Sequence, residues 1–432
     1  MPGPEVTAFL NALNETEHLA PERMLAYQRR LLARLLPHAA RETGFYRDRL
    51  SPVLRNDGTF DWERWNEIPI LMRSDLQDSF DQLVARNLPK SAGGVNEDVS
   101  SGSTGSAVRH LNADLQNFAT ACCNERFFAW HGIDPGALYA RIRITDHPDA
   151  VWPNGRRLEG WRIAYDRSVA IDLSTMATMD QQIEWLERIR PRYLMTYPSI
   201  LRTIASEMAG RQKPLRFDAV LSFGEMLTED ARRTIEDGLG VHPLDRYGTG
   251  EVGHISAVCP QHLKHHISSE LVLVEIVDEQ GQEVPAGTEG RVIVTPFYSL
   301  AMPLIRYDIG DYAVLSGEPC SCGRSLPVFE RILGRSRNVF RSADGRRIWP
   351  AILSSEIGRH LPNRQFQIVQ LDFDHVEIRY VPMPGEQTSN VAGLTAYVRE
   401  RLQSEVKLSV QPVDAIERSA GGKYEDFKSM LD

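Results

Sequence analysis

The sequence predicts an α/β protein with a large, multi-subdomain N-terminal domain and a small, mobile α+β C-terminal domain. Helix and strand patterns alternate between residues 179 and 238, which is typical of α/β layers. Apolar strand patterns joined by Gly- and Pro-containing turns follow from residue 271, and they predict an antiparallel β subdomain. A polar stretch at residues 334–338 then precedes a short tail. We therefore expect an N-terminal domain over residues 1–334 and a C-terminal domain over residues 335–432.

Hydrophobic spacing locates the individual elements. Leucines recur at helical spacing in residues 21–50, and residues 115–130 form a helix pattern with Cys122 and Cys123 as small core residues. In the alternating region, the predicted helices are residues 179–190, 199–209 and 228–238, and the predicted strands are residues 193–197 and 219–223. Thr228 is the expected N-cap of its helix, because its hydroxyl can accept from a free backbone N–H. Farther along, the predicted strands are residues 271–277, 291–294 and 376–381, and the predicted last helix is residues 392–404.

Composition excludes several classes of protein. The chain has 432 residues, of which 42% are hydrophobic and 25% charged, as in a globular protein, and its formal net charge is −9. An acidic chain lacks the broad basic surface that nucleic acid or an anionic membrane requires, so we expect neither as a partner. Five cysteines are too few for a disulfide scaffold, and the first residues have no signal-peptide pattern, so we expect a cytoplasmic protein. Whether the chain forms a homodimer is left open.

A run of Ser, Thr and Gly, which we call the Ser/Gly loop, is the first candidate binding element. Its members are Ser100, Ser101, Gly102, Ser103, Thr104, Gly105 and Ser106. These residues cannot bury apolar surface, and glycines let backbone N–H groups and hydroxyls converge on anionic oxygens. The functional interpretation is a phosphate-binding loop, and the alternative is a flexible surface loop of the same composition.

Polar, glycine-containing segments follow predicted strands, where α/β proteins bind ligands. The first contains Gly224, Glu225 and Met226, and the second contains Asp245, Arg246, Tyr247, Gly248, Thr249 and Glu251. Asp311 ends a third segment, Arg335 lies in a fourth, and Lys423 follows two glycines near the end of the chain. Together with the Ser/Gly loop, these segments form a candidate ligand-binding set.

In their order and spacing, these elements resemble the adenylate-forming superfamily, especially its phenylacetate–CoA ligase group with the capsule-biosynthesis and deazaflavin-adenylating relatives. The most specific parts are residues 301–311, which begin Ala-Met-Pro-Leu-Ile-Arg-Tyr, and residues 332–335, Ile-Leu-Gly-Arg. Residues 45–47 and 68–70 also fit, and the resemblance covers nearly the whole chain. It implies an ATP-dependent ligase that adenylates a carboxylic acid, aryl or arylacetic, releases pyrophosphate and then transfers the acyl group to CoA.

The resemblance implies a role for each segment, with ATP and Mg²⁺ as cofactors. The Ser/Gly loop would contact the β- and γ-phosphates, and the Gly224–Glu225–Met226 segment would border the adenine. The segment from Asp245 to Thr249 would also bind the nucleotide, with Tyr247 offering a flat face to the base and Gly248 leaving room for the acyl group. Aromatic residues that could line an acyl pocket, or belong to the core instead, are Phe127, Trp130, Tyr197 and Phe223.

Charged residues complete the implied site. Glu251 would hold Mg²⁺, Asp311 would accept from the ribose hydroxyls, and Arg335 would lie near the same sugar. Lys423, on the mobile tail, would reach the α-phosphate and the acyl carboxylate. A lysine suits this role because it is a compact charge on a flexible stem.

Two positions depart from the family pattern. The family's phosphate loop usually continues Gly-Lys-Pro, but this chain has Ser106 and Ala107, so one cationic phosphate contact is missing unless Arg109 or His110 supplies it. Gly250 stands where the family usually has Ser or Thr. Two alternatives therefore stay open. One is an adenylate-forming enzyme that passes the acyl group to an amine, a carrier thiol or another nucleophile, and the other is a degenerate homologue that binds nucleotide without turnover.

A separate group of cysteines and histidines predicts a structural zinc site. The candidates are Cys259, His262, His265, His266, Cys320 and Cys322. Tetrahedral zinc prefers thiolate and imidazole ligands, and cysteines beside Pro and Gly in loops are unusual core residues. We expect Cys259, His266, Cys320 and Cys322 to bind Zn²⁺, with His265 as the alternative histidine. His266 is preferred because the strand-like Ile267 follows it directly and fixes its backbone.

Overall fold

The structure is a computed structural model, and it describes most of the chain. The described residues are 2–55, 57, 59–100, 108–209, 211–335, 339–350, 352–383, 388–416 and 424–431, without the side chains of Ser100, Ser354 and Ser355. Of the predicted site and Ser/Gly-loop residues, those outside this description are Ser101, Gly102, Ser103, Thr104, Gly105, Ser106 and Lys423. Positions 336–338 of the polar stretch before the tail are outside it as well.

The secondary structure of the described part alternates between helices and strands before it becomes mainly β. The helices are α1 (Pro4–Thr16), α2 (Pro21–Glu42), α3 (Tyr46–Arg49), α4 (Arg73–Asp78), α5 (Phe80–Leu83), α6 (Asp114–Trp130), α7 (Met179–Ile189), α8 (Pro198–Met208), α9 (Glu229–Leu239), α10 (Ser354–His360) and α11 (Val391–Leu402). The strands are β1 (Val95–Ser100), β2 (Val108–Ala113), β3 (Leu138–Arg143), β4 (Arg156–Glu159), β5 (Val169–Ser174), β6 (Tyr193–Thr196), β7 (Ala219–Phe223), β8 (Pro243–Thr249), β9 (Gly253–Val258), β10 (His265–Ile267), β11 (Val272–Val277), β12 (Glu289–Pro296), β13 (Tyr307–Leu315), β14 (Val328–Arg335), β15 (Phe340–Arg341), β16 (Arg347–Ile348), β17 (Asn363–Asp372), β18 (His375–Pro382), β19 (Lys407–Pro412) and β20 (Phe427–Ser429).

One twelve-stranded sheet organises the first 335 residues. Its strand order is β11-β12-β13-β14-β10-β9-β8-β7-β6-β3-β5-β4. The run β5-β3-β6-β7-β8 is parallel, and the pairs from β8 to β11 are antiparallel. The predicted α/β class is therefore confirmed, and the predicted antiparallel strands extend the parallel sheet rather than forming a sheet of their own.

Local sequence accounts for two helix boundaries, the start of α9 and the end of α2. The helix after β7 begins after Thr228, whose Oγ1 accepts from the Ala231 backbone N–H at 3.1 Å as the N-cap prediction requires. The prediction of one helix over residues 21–50 is wrong, because α2 ends at Glu42. Thr43 is extended there, and its hydroxyl donates to the Ala39 carbonyl at 2.9 Å. Such side-chain bonds compete with helix continuation.

The tail forms a second sheet with its own helices. Its strand order is β19-β18-β17-β20, and α10 and α11 pack on it over a core that includes Phe366, Ile368, Leu394 and Val398. This small α+β unit agrees with the predicted fold class. The boundary between residues 334 and 335 stays a prediction, because β14 itself runs to Arg335.

A buried ion pair holds the segment before β13 in place. The Arg306 guanidinium is 3.0 Å from Glu275 and donates to the carbonyls of Asn66 and Ile68 at 3.0 and 2.9 Å. Burial raises the pKa of Glu275, and the Arg306 charge opposes that rise. Leu71 exchanges backbone hydrogen bonds with the residues on either side of Tyr307, both 2.9 Å long. These contacts fix the start of β13, and therefore the position of Asp311.

Within the described residues, no helix combines the length and apolar character needed to cross a membrane.

Candidate active site

Three predicted nucleotide residues meet at the junction of β8, β13 and β14. Tyr247 donates its hydroxyl to Asp311 Oδ2 at 2.6 Å, and Arg335 Nε lies 3.6 Å from Asp311 Oδ1. Asp311 and Arg335 face each other directly in the antiparallel ladder, so the sheet register sets their contact. Burial and the neighbouring Asp311 raise the pKa of Tyr247 far above its usual value, so its phenol stays a donor.

Glycines allow close backbone approach around this group. A Cβ on Gly248 would collide with the Gly253 carbonyl oxygen, so no larger residue fits. Gly334 has a φ of +85°, and the Met226 side chain lies directly over it. Met226, which was predicted to border the adenine, therefore lies next to the end of β14, which carries Arg335.

Glu251 is a buried carboxylate near the same junction. Its exposed fraction is 4%, and Tyr307 donates its hydroxyl to Glu251 Oε1 at 3.2 Å. Burial, and then the Glu251 charge, raise the pKa of Tyr307, so this donor is retained. No described cationic side chain forms an ion pair with Glu251. A buried negative charge without a cation fits a site for a bound metal ion.

The Ser/Gly loop connects two paired strands that sequence reasoning missed. Strands β1 and β2 are antiparallel, with Ser100 opposite Val108, and they flank the Ser/Gly loop in the sequence before α6. The amide of Asn112 donates to the Gly250 carbonyl at 3.1 Å, and Gln116 donates to the Glu251 carbonyl at 3.1 Å. These bonds place β2 and the start of α6 beside the predicted Mg²⁺ carboxylate.

His110 and Arg109 lie on opposite faces of β2. Arg109 is exposed and its Nε is 2.7 Å from Glu97. His110 is buried beside Gly250, and neither of its ring nitrogens has a hydrogen-bond partner among the described residues. Of the two residues considered as substitutes for the missing loop lysine, His110 is the one that faces the site.

The predicted metal ligands come together in one cluster. The ligand atoms of Cys259, His266, Cys320 and Cys322 all lie within 4.8 Å of one another. Cys259 Sγ is 3.9 Å from Cys320 Sγ, and Cys322 Sγ is 3.4 Å from His266 Nε2. A tetrahedron with Zn–S of about 2.3 Å and Zn–N of about 2.05 Å has S–S and S–N edges of about 3.8 and 3.6 Å. The donor set and its spacing therefore fit zinc.

Hydrogen bonds orient the cluster. His266 Nδ1 is 3.2 Å from the Leu326 carbonyl, which leaves Nε2 free to bind a metal. Burial alone would raise the pKa of the Cys259 thiol, but hydrogen bonds from His266 and nearby backbone N–H groups lower it to about 5. Burial raises the pKa of Cys320 to about 11. His265 lies elsewhere, 3.2 Å from Asp245 and 3.2 Å from Ser256, so it is outside the cluster.

The other residues of the 245–249 segment have separate surroundings. Asp245 contacts His265 and accepts from Ser222, while Thr249 Oγ1 accepts from the Val252 N–H at 3.2 Å. Side chains alternate along a strand, so Arg246 points away from Tyr247 and towards α6, where it donates to Asn124.

Comparisons with known proteins were made for the whole chain. No family model matches it. It is 29% identical over 335 residues to the phenylacetate-coenzyme A ligase of Thermus thermophilus, covering 75% of this chain and 73% of that protein. It is 22% identical over 372 residues to Protein CapK of Staphylococcus aureus, covering 83% and 78%. A crystal structure of 2-hydroxyisobutyryl-CoA ligase in the postadenylation state with R3-HIB-AMP superposes with a TM-score of 0.74 at 19% identity, covering 95% and 90%.

The chain is similar in sequence to phenylacetate–CoA ligases and in fold to an acyl-CoA ligase. The relatives match by sequence over about three quarters or more of the chain, and the solved structure matches by fold over nearly all of it. The resemblance seen in the sequence is thereby confirmed.

The sequence did not predict an arginine-lined cavity that the structure contains. Its volume is about 270 Å³, and Arg141, Arg143, Arg162 and Arg246 all contribute to its lining. Of the four aromatic residues considered for an acyl pocket, Phe223 lines this cavity, whereas Phe127 and Tyr197 are buried in hydrophobic clusters. Two arginines in the short strand β3 were the available signal, since charges are unusual in a central strand.

Glu225, predicted beside the adenine, also holds the tail. Its Oε2 accepts from the Ser199 N–H at 3.0 Å, and its Oε1 accepts from the Tyr424 N–H at 2.8 Å. Arg202 on the same helix, α8, is 3.3 Å from Asp426. We call these contacts the tail contact. They bring the residue after Lys423 to the predicted adenine site.

Proposed function

We propose that this chain is an ATP-dependent acid ligase that adenylates a carboxylic acid, releases pyrophosphate and transfers the acyl group to CoA. The observation that carries the proposal is the meeting of Tyr247, Asp311 and Arg335 beside Glu251, in a chain related to phenylacetate–CoA ligase. An aryl or arylacetic acid is the proposed substrate class, in keeping with the name of that relative.

The first half-reaction joins the acid to the α-phosphate of ATP. A carboxylate oxygen attacks the α-phosphorus, a new P–O bond forms, and the bond to the β-phosphate oxygen breaks so that pyrophosphate leaves. Negative charge shifts among phosphoryl oxygens during this step, so catalysis consists mainly of positioning and electrostatic stabilisation. In the second half-reaction, the thiol of CoA attacks the acyl carbon, and AMP leaves.

Described residues fit the nucleotide part of this reaction. We propose that Asp311 accepts hydrogen bonds from the ribose hydroxyls while Tyr247 and Arg335 hold its carboxylate in position. Gly224 and Met226 border the base, and Gly248 gives the acyl group access. Asp245, Arg246 and Thr249 were predicted to bind the nucleotide, and their contacts support a positioning role for Asp245 and Thr249.

We further propose that Glu251 holds the Mg²⁺ that accompanies ATP, because it is buried and lacks a cationic partner among the described residues. When bound, Mg²⁺ neutralises charge on the phosphates. His110 is the proposed phosphate contact in place of the missing loop lysine, since its ring nitrogens are buried and unpartnered beside Gly250. The Ser/Gly loop and Lys423 complete the phosphate site in this proposal.

The cysteine–histidine cluster is proposed as a structural zinc site. Four protein ligands leave no open coordination position, so the role is structural rather than catalytic. The site joins the β9–β10 turn to the β13–β14 connection, and these strands adjoin Glu251 and Asp311. Zinc would therefore stabilise the framework of the nucleotide site.

We also propose that residues 335–432 form the small domain that carries Lys423 and that it rotates about residues 335–338 between the half-reactions. The tail contact supports a position suited to adenylation, because Tyr424 lies beside Glu225. A cytoplasmic location is proposed as well, in keeping with the composition.

Acid-dependent exchange of pyrophosphate into ATP tests the first half-reaction. The assay takes purified protein, Mg²⁺, ATP, labelled pyrophosphate and a panel of aryl, arylacetic, aliphatic and amino acids. We expect exchange with at least one acid and none without an acid. Absence of exchange across the panel, with nucleotide binding retained, would overturn the ligase proposal in favour of a non-turnover homologue.

The acceptor is tested with an acid that supports exchange. CoA, or separately an amine, is added, and thioester, amide and AMP are quantified by mass spectrometry. Thioester formation with stoichiometric AMP supports the proposal. Persistence of acyl-AMP with CoA, but its consumption by the amine, would refute CoA as the acceptor while leaving adenylation intact.

A further inference from the structure

The arginine cavity lies where an acid bound next to the nucleotide site would extend. Its lining comes from α6, from residues 161–163 after β4, and from β3, β6, β7 and β8. Phe223 and Arg246 line it, and each directly precedes a proposed nucleotide residue, Gly224 and Tyr247 respectively. The volume, about 270 Å³, is near the lower end of small-ligand pockets, so a small acid fits better than a long-chain one.

Two of its four arginines are already neutralised. Arg141 forms a bidentate pair with Asp172 at 2.6 and 2.9 Å, and Arg162 lies 2.7 Å from Glu125. Such pairs satisfy the guanidinium groups and leave little charge for a ligand.

Arg143 and Arg246 lack this compensation. Within the described residues, neither forms an ion pair. The guanidinium nitrogens of Arg246 donate to Asn124 Oδ1 at 2.6 Å and contact Met195 Sδ at 3.0 Å, both neutral acceptors. Its Nε is buried and has no described partner. A guanidinium at a cavity wall whose hydrogen-bond partners are neutral can still pair with an anion that enters the cavity.

Electrostatics around Arg246 agree with this geometry. Burial lowers the pKa of Arg246 to about 10, although Asp245 opposes that shift. His254, the other titratable group on Asn124, has its pKa held well below its usual value by burial and is neutral. Asp245 contacts His265 and Ser222 rather than the guanidinium. Asp245 therefore stabilises the Arg246 charge without forming an ion pair with it, and Glu125, the carboxylate in the cavity lining, is paired with Arg162.

The remaining wall is aromatic. Phe128, Trp161 and Phe223 line the cavity, and the buried Trp161 Nε1 also lacks a described hydrogen-bond partner. Flat apolar faces accommodate a ring or short chain, while the indole N–H is one more donor for an oxygen.

We propose that the substrate is a small dicarboxylic acid, in which one carboxylate is adenylated and the second pairs with Arg246 in this cavity. The inference rests on the proposed function and narrows its substrate class. Arg246 is the specificity-determining residue, Arg143 adds positive charge at the cavity wall, and the aromatic side chains pack against the carbon frame between the carboxylates. A neutral acid of the same size leaves the guanidinium unpaired.

Matched acids test the proposal. Pyrophosphate exchange is measured with benzoate against isophthalate and terephthalate, with phenylacetate against 4-carboxyphenylacetate, and with butanoate against succinate and glutarate. We expect at least one dicarboxylate to exceed its neutral partner by about 10- to 100-fold in kcat/KM, as expected for a hydrogen-bonded charge pair. Exchange that is equal with the neutral acids, or confined to them, overturns the inference and leaves the proposed function standing. Absence of exchange with every acid overturns both.

Variants connect the preference to Arg246. Arg246→Gln keeps a donor for Asn124 but removes the charge, so it should lose the 10- to 100-fold preference while retaining the KM for ATP. Arg246→Lys restores a charge and should recover part of the preference. Arg157→Gln, at an exposed arginine of β4 paired with Glu159, is the control and should retain the preference. Thermal unfolding verifies that the variants are folded. A preference that survives in folded Arg246→Gln, or a uniform loss for all acids, refutes the assignment.

Discussion

Removal of the proposed zinc should destabilise the protein by an amount that the chain connectivity sets. The metal would join Cys259 to Cys320, which are 61 residues apart. Closing a loop of that length restricts the unfolded chain by about 4 kcal/mol in the loop-entropy treatment of cross-links. With an unfolding entropy of about 2.1 cal/mol/K per residue, 4 kcal/mol corresponds to about 6 °C if the predicted N-terminal domain unfolds as one unit.

The assay combines metal analysis with thermal unfolding. Protein purified without chelator should contain about one zinc per chain, and Cys320→Ser or His266→Asn should lose the zinc and lower the Tm by about 6 °C. His262→Asn is the matched control, because the His262 side chain is exposed in the same turn and contacts Ser321, while its backbone N–H, which donates to Cys259 Sγ at 3.4 Å, is kept by the substitution. Zinc-free native protein would refute the site. An equal loss of stability in His262→Asn would show that the turn, and not the metal, is responsible.

Three further predictions, made with four substitutions, test the nucleotide site. Asp311→Ala should raise the KM for ATP about 10- to 100-fold, because it removes a charged acceptor. Tyr247→Phe keeps the Asp311 carboxylate and should raise this KM less. Equal increases in KM for the two variants, measured by exchange kinetics, would contradict the assignment of Asp311 to the ribose. Lys423→Ala should slow single-turnover acyl-AMP formation by about 10²-fold or more, and an unchanged rate would remove its catalytic role. Glu251→Gln should raise the Mg²⁺ concentration needed for half-maximal exchange about 10-fold. The Tm should not fall, because the amide oxygen can still accept from the Tyr307 hydroxyl. An unchanged Mg²⁺ requirement would exclude Glu251 as a ligand.

Local pattern was sufficient for the α/β part of the fold. The predictions for α7, α8, α9, β6 and β7 agree with the structure to within one or two residues, because each has an amphipathic or uniformly buried pattern with a clear boundary. Strand β1 was missed because most of it faces solvent: Val95 and Val99 are 45% and 58% exposed, so no buried face marks the strand. At the end of α2, Thr43 is extended and its hydroxyl donates to the Ala39 carbonyl, which the spacing of leucines does not reveal.

Site residues could be predicted from the sequence only where they belong to a local sequence motif. The segments containing Tyr247, Glu251 and Asp311 have recognisable order in the chain, and the fold brings Tyr247 and Asp311 into contact. The arginine cavity has no such motif. Which of its arginines are unpaired depends on Asp172 and Glu125, which approach from other elements, and tertiary pairing of that kind cannot be read along the sequence.

The tail contact has a kinetic consequence. Glu225 belongs to the segment proposed to border the base, yet its carboxylate also binds the backbone of Tyr424. The proposed rotation must therefore break a charge-assisted hydrogen bond as well as the Arg202–Asp426 pair before the acceptor can enter. In the proposed arrangement, a base bound beside Glu225 would touch the same side chain that contacts the tail. Binding or loss of the nucleotide would then affect how readily the tail moves between the proposed half-reactions.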